Sequence, residues 1–401
     1  MIVQTPSGSA IAGSLEDAIE RVYALAPGDA FDPRIPAALV TARLHLLPVP
    51  VASGGLGASM MECGEALAAL GAVDGSTALG FAMHVHAVGS ISESAGWPDA
   101  ARDRVYRAIV AEDALFNNAA TEAGGGSPAR GAIPGTIASP VPAGDGGGWR
   151  LTGEKTWTTW LPALRYAFVT ARIQDGGATD GRPPAIGVFL VDLESSGVQR
   201  QPGFEALGMR ASASGRLVLE DVLVPRDGLV VRRFATEEDA RGPAPGAWFA
   251  MAVASTYLGV GEGARADVAR WALERRPGDG STAVADVPSV QLRLGRLDAS
   301  LRVARTVLFD AARRWDAAAD DPSARAGLLP DFALAKITAT NAAATATDEA
   351  LRICGGPGFL SGRLERAFRD ARAGLINPPL DDVALTGFAR AVLDGARAAH
   401  S

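Results

Sequence analysis

The chain has 401 residues, 48% of them hydrophobic, enough to bury a large core and to divide into two or three domains. A formal net charge of −7 without any basic cluster argues against nucleic acid as a partner. No apolar run approaches the ~20 residues of a membrane span and no basic-then-apolar leader opens the chain; Cys63 and Cys354 suggest buried free thiols rather than disulfides, so a cytoplasmic protein is expected.

Residues 15–115 are alanine-rich and helical in pattern, interrupted by Pro48 and Pro50 and by Gly-Gly-Leu-Gly at 54–57. His84 and His86 lie in an apolar run. Two residues apart on a helix, they point to different faces, which disfavours a metal pair, and no metal is expected. One packed and one exposed histidine is the plain expectation; the functional one is that either lines a substrate pocket.

From about 117 to 227 the pattern changes to short strands, at 166–172, 186–192 and 216–224, rich in β-branched and aromatic residues. Strands in succession without helices between them predict an antiparallel barrel or sandwich. After 245 the chain is helical again. Leu294, Leu297, Leu301, Ala304 and Leu308 form one apolar stripe, and Pro330 opens a further helix through Ala333, Ile337 and Thr340. Long antiparallel helices with such seams make a four-helix bundle. The expected division is a helical domain at 1–115, a β domain at 116–230 and a helical bundle at 231–401.

Two stretches carry the chemistry. In 116–127, Gly124 to Gly126 leave backbone N–H groups bare, while Thr121 and Ser127 add hydroxyls. In 151–160, Thr158 and Thr159 add two more, and Trp157 offers a flat face for a ring. Thr-Glu-x-Gly-x-Gly-Ser followed by Leu-x-Gly-x-Lys-x-Trp-x-Thr resembles the flavin-binding signature of the acyl-CoA dehydrogenase superfamily. Leu-Gly-Met-Arg-x-Ser at 207–212, Val-x-Val-Pro at 222–225 and Gly-Gly-x-Gly-Phe at 355–359 extend the resemblance over nearly the whole chain.

The resemblance implies FAD, with Thr121, Gly126 and Ser127 along the ring edge and Trp157, Thr158 and Thr159 packing on it. It further implies that Arg275 grips the pyrophosphate of a neighbouring subunit's flavin, with Gln291 and the Gly355-Gly356 backbone nearby. A homotetramer or homodimer follows. Arginine suits such a role because its fork holds phosphate oxygens in pairs.

The usual catalytic carboxylate is missing. Counted from Arg369-Asp370, its place falls on Asn377 or Pro378; the other place used in such proteins falls near Phe249, beside Trp248. Asn377, Trp248 and Phe249 are therefore candidate substrate contacts. One explanation makes Asp381 or Asp382 a relocated base for α,β-dehydrogenation of an acyl thioester, with hydride passing to flavin N5 and then to an electron-transfer flavoprotein. The alternative is the oxygen-activating branch, which includes dibenzothiophene monooxygenase. That branch takes reduced flavin, FMN included, from a separate reductase and hydroxylates aromatic, amine or sulfur substrates through a flavin hydroperoxide. There His84 or His86 would assist. A flavin-binding homologue without chemistry is the third expectation.

Overall fold

The longest helix, α6 (Ala244–Glu274), is the axis around which the other helices pack. Small residues make this possible, and they account for the alanine-rich composition. A Cβ on Gly259 would lie 2.2 Å from the Ala68 carbonyl oxygen, and one on Gly263 would lie 2.5 Å from that of Ala72. The backbones of α6 and α3 (Met60–Val73) are thus nearly in contact. The computed structural model describes residues 9–124, 132–174, 183–237, 241–278 and 280–400.

The N-terminal helices are α1 (Ser9–Ala24), α2 (Arg34–Thr41), α3, α4 (Gly75–Glu93) and α5 (Asp99–Glu112). Ser59 and Glu62 form a reciprocal capping box on α3, and Asp74 caps α4 by accepting from Thr77 N. Apart from its last turn, α4 is apolar all round and buried all round, which marks it as a core helix between α3, α6 and the sheet.

Eight strands follow: β1 (Phe116–Ala119), β2 (Ile137–Pro140), β3 (Trp149–Thr158), β4 (Tyr166–Ile173), β5 (Ala185–Asp192), β6 (Val198–Gln201), β7 (Gly215–Val224) and β8 (Leu229–Phe234). They form one sheet in the order β6-β7-β3-β2-β4-β5-β8, with β1 also on β4. The expected all-antiparallel pairing is corrected at two places, since β1 and β2 both run parallel to β4. The register shows why. β1 pairs with 166–169 and β2 with 172–173, end to end on one edge of β4, so they are a single strand line interrupted by the chain between them.

The C-terminal part comprises α6, α7 (Pro288–Ala317), α8 (Pro322–Gly327), α9 (Leu329–Cys354), α10 (Gly356–Phe359), α11 (Arg363–Gly374) and α12 (Asp381–His400). On α7 Leu297, Leu301, Ala304 and Leu308 of the expected stripe are buried, while Leu294 at its start is half-buried. On α9 Thr340 is buried, and the buried residues around it include Phe332, Ala335, Ala339, Ala343, Ala346 and Ala350, while Ala333 and Ile337 are only half-buried. Cys63 and Cys354 are buried free thiols. No helix among the described residues is long and apolar enough to cross a membrane.

Trp160, just after β3, sits with its indole directly over Gly80 of α4, where a Cβ would lie 2.0 Å from the ring. Gly80→Ala is expected to cost about 1–3 kcal/mol by chemical denaturation, because neither helix nor indole has room to shift. Gly13→Ala, in the exposed face of α1 with nothing within 4 Å, is expected to stabilise by about 0.5–1 kcal/mol.

Candidate functional site

One carboxylate ties the two motif stretches together. Glu122 leaves the end of the β1 segment and accepts from Lys155 Nζ at 2.5 Å. It also accepts from the backbone N–H groups of Gly135 and Thr136 and from the Thr136 hydroxyl, at 2.6, 2.9 and 2.6 Å. The excursion between β1 and β2 is therefore pinched shut at its base, and the closed base is fastened to β3. Lys155 is 0% exposed and the Glu122 side chain 12%. Burial alone would raise the Glu122 carboxyl, but the Lys155 ammonium and the Thr136 donors hold it down at about 2. Burial likewise lowers Lys155, and Glu122 opposes that shift. Two further bonds align the strands, Thr156 N donating to the Thr121 carbonyl at 2.9 Å and Asn117 Nδ2 to the Thr159 carbonyl at 3.0 Å.

Beyond this lock the end of β3 is open. A register shift between Lys155 and Thr158 puts Trp157 at φ +58°, a left-handed conformation unusual for an aromatic residue. The bulge turns the Trp157 ring out of the sheet, where it is 53% exposed and lies 4.5 Å from the ring of Phe204. Thr158 Oγ1 is fully buried yet has no hydrogen-bond partner among the described residues. Thr159 Oγ1 is at one end of a hydroxyl chain, 2.9 Å from Ser214 Oγ, which is 2.9 Å from Ser212 Oγ. An exposed flat ring, an orphaned buried hydroxyl and a hydroxyl chain along one broken strand edge suit a planar heterocycle with polar edges. These residues fit a flavin. Gly126 and Ser127 lie outside the described residues.

Arg275, Gln291, Gly355 and Gly356 lie in the C-terminal helical part. Arg275 caps α6 and is exposed; Gln291 is exposed and donates to the Ala285 carbonyl at 3.0 Å. Gly355 takes φ +62° at the end of α9, with Gly356 exposed after it. Among the described residues no hydrogen bond joins these four to Thr121, Trp157, Thr158 or Thr159 within the chain.

Both histidines of α4 are buried, His84 at 0% and His86 at 4% exposure, so the expected exposed member is absent: the helix is covered on every side. His84 is fully engaged, with Nε2 2.9 Å from the His45 carbonyl and Nδ1 accepting from Phe116 N. His86 is different. Asn118 Nδ2 stands 3.5 Å from its Nδ1, and the ring of Phe249 meets it edge-on at 5.1 Å. An amide nitrogen only donates, so Nδ1 accepts and Nε2 carries the ring's hydrogen, with no partner among the described residues. Burial lowers both histidines to about 3, which keeps them neutral.

The other candidates are differently placed. Trp248 is enclosed, its indole over Gly89 and its N–H donating to Glu93 at 2.6 Å; Trp315 and Arg325 donate to the same carboxylate. Its neighbour Phe249 is the one that reaches His86. Asn377 donates to the buried Tyr257 hydroxyl at 2.9 Å. Asp381 accepts from Lys336 Nζ at 3.2 Å and Asn341 Nδ2 at 2.7 Å, which ties the start of α12 to α9. Asp382 is exposed in the first turn of α12. No metal-binding cluster occurs among the described residues.

Comparison with known proteins agrees with this geometry. The acyl-CoA dehydrogenase middle-domain family matches residues 117–222, and the acyl-CoA dehydrogenase C-terminal-domain family matches 247–392. YdbM of Bacillus subtilis (strain 168), assigned to the acyl-CoA dehydrogenases by name, is 35% identical over 344 residues, 84% of each chain. The chain belongs to the acyl-CoA dehydrogenase family. This is a family of flavoproteins that includes nitrososynthases and monooxygenases. L-evernosamine nitrososynthase of Micromonospora sp. is 26% identical over 392 residues, 92% of this chain and 86% of that protein. The dibenzothiophene monooxygenase TdsC of Paenibacillus sp. A11-2, solved with FMN and indole, shares the fold. Its TM-score is 0.80 at 24% identity, over 92% of this chain and 93% of its own.

Several residues that shape this candidate site are given no individual role by the sequence argument: Asn117, Asn118 and Ser214, and Glu122, Lys155 and Ser212, which appear there only as motif positions. The available signals were the two adjacent asparagines in the middle of β1, between Phe116 and Ala119, and the motif positions themselves. Lys155→Met is expected to cost about 3–5 kcal/mol in denaturation, because it strands a largely buried charge. The double variant with Glu122→Gln should cost less than the two singles summed.

The histidines set a second expectation. Their folded pKa of about 3 lies below the ordinary 6.5, so between these values the unfolded chain binds more protons. Their contribution is complete above 6.5 and lost as the pH falls, by about 1.4 kcal/mol per histidine and pH unit inside that window. Denaturation midpoints measured from pH 7 to 5 should fall, and His86→Met should flatten the slope.

Proposed function

We propose that this chain is a monooxygenase that uses reduced flavin to oxygenate a small uncharged molecule. The observation that carries the reading is the buried His86 with half-buried Asn118 and Phe249 against it, together with the non-carboxylate residues at both places where the family's base is expected, Phe249 and Asn377. A proton-abstracting dehydrogenase needs a positioned base. This set holds instead a neutral imidazole whose Nε2–H is left without a partner among the described residues and is available to donate. A bound reduced flavin would supply the two electrons with which one oxygen atom of O2 becomes water while the other enters the substrate.

In this reading Trp157 would stack on the ring, and Thr158 and Thr159 would hold its edge with the Thr121 segment. His86 Nε2–H would donate to the substrate heteroatom, Asn118 would hold the tautomer, and Phe249 would be the apolar wall. A neutral, apolar lining favours an aromatic, thioether or uncharged amine substrate over an anionic one. Arg275, Gln291 and the Gly355-Gly356 turn would serve the flavin of a second copy in a homotetramer or homodimer, with FMN or FAD delivered reduced by a separate reductase.

A second reading, dehydrogenation of an acyl thioester with an electron-transfer flavoprotein as acceptor, has the name of YdbM in its favour. It needs Asp381 or Asp382 as base, and Asp381 would have to leave Lys336. One experiment separates the two. Chemically reduced FMN or FAD, the native chain and 18O2 are mixed with a panel of thioethers, indoles and amines, and acyl-CoA esters are added anaerobically to the oxidised complex. The proposal expects 18O in a product and no bleaching by acyl-CoA; bleaching without 18O incorporation would sink it. His86→Ala should lower turnover by about 10²-fold and His86→Gln less. Turnover between pH 6 and 8 should show no inflection from His86, whose pKa is about 3.

A further inference from the structure

The hydroxyl chain on Thr159 does not stand alone, and the structure assigns its control to α11. Ser212 and Ser214 belong to the connection between β6 and β7, which crosses α4 and α11 before turning into β7. This connection has two non-glycine residues in left-handed conformation, Met209 at φ +54° and Ala213 at φ +44°, so its shape is not one the backbone adopts unaided. Something must hold it.

The hold comes from two consecutive residues of α11. Asp370 Oδ1 accepts from Met209 N at 2.5 Å, and Arg369 Nη1 donates to the Leu207 carbonyl at 3.3 Å. Between these bonds Gly208 lies flat on the helix, where a Cβ would come within 2.3 Å of the Arg369 carbonyl oxygen. The Met209 side chain is buried against the start of α4, its sulfur 3.9 Å from Ser76 Oγ. Past this anchor, the Ser212 carbonyl accepts from Trp160 N at 2.8 Å and the Ser212 hydroxyl begins the chain through Ser214 to Thr159. A hydroxyl both donates and accepts, so a neighbour that fixes one bond sets which way the next hydroxyl points.

We propose that Asp370 is a positioning residue for the flavin edge: by latching Met209 to α11 it sets the Ser212–Ser214–Thr159 chain and hence the direction of the Thr159 hydroxyl. Asp370 is 2% exposed and touches no part of the flavin surface itself, so it acts through the loop. The proposal rests on the flavin reading of Thr159.

The test is a coupling measurement on the full chain. FMN and FAD are titrated, following quenching and the absorption maximum of the bound flavin, into the native protein, Asp370→Ala, Asp370→Asn, Ser214→Ala and the double variant Asp370→Ala with Ser214→Ala. Asp370→Ala is expected to weaken binding by about 5–10-fold and shift the bound-flavin absorption, while Asp370→Asn, which keeps an acceptor oxygen, stays within about 2-fold. With Ser214 already removed, the Asp370 change should have no further effect on affinity or spectrum. Losses that multiply in the double variant, or an Asp370→Ala complex spectrally identical to native, would overturn the proposal. If Asp370→Ala does not fold, Gly208→Ala lifts the same latch from the other side, and an unshifted spectrum there would also overturn it. A native chain that binds neither flavin would instead refute the flavin reading, and this inference with it.

Discussion

A lysine buried to 0% exposure cannot remain charged without a partner, and the partner available to Lys155 is Glu122. Everything at the candidate site hangs from that requirement. Glu122 accepts from both the far end of the excursion between β1 and β2 and the adjoining strand, so one carboxylate sets the width of the break between β1 and β2 in the interior of the sheet. Trp157, Thr158 and Thr159 follow two to four residues after Lys155 and inherit their position from it. An exposed strained aromatic beside an unpartnered buried hydroxyl would be a poor arrangement for stability alone. It is coherent as a surface kept ready for a planar ligand.

The rest of the fold holds that gap against the helices. On α4, His86, Gly89 and Glu93 recur at three and four residues and so share one face. Glu93 bonds Trp248, Gly89 makes room for its ring, and the next residue, Phe249, meets His86. The separation of α4 and α6 at this point is thus set by a buried polar knot joining Glu93, Trp248, Trp315 and Arg325. On the opposite side, α11 fastens the connection bearing Ser212 and Ser214. Helix packing and strand geometry converge on a small set of uncharged polar groups.

Local features were legible from the chain: the three-part order of helix, strand and helix, the α7 stripe, and the two motif stretches, because periodicity and turn residues act over a few positions. What was not legible depends on partners distant in sequence. The parallel pairing of β1 and β2 with β4 follows from which edge the chain returns to, which no local pattern encodes. His84 and His86 do point to different faces, yet both are buried, because a helix covered all round has no outer face. Trp248 and Phe249 look equivalent in sequence, but Glu93 claims one and His86 the other. Asp381, a plausible base by position, is taken up by Lys336 on α9. Ala335, Ala339 and Ala343 form the inner face of α9 because small side chains let α6 approach, a demand of packing rather than of hydropathy.

The most direct test of the central claim compares flavin affinity in the native chain and in Lys155→Met at a temperature where circular dichroism shows both folded. FMN and FAD, each oxidised and dithionite-reduced, are titrated against both proteins. The account predicts saturable binding by the native chain in at least one redox state, and binding weaker by about 10-fold or more once the lock on Trp157 to Thr159 is released. Equal affinity in the two proteins, or none in the native chain for either flavin in either state, would contradict it.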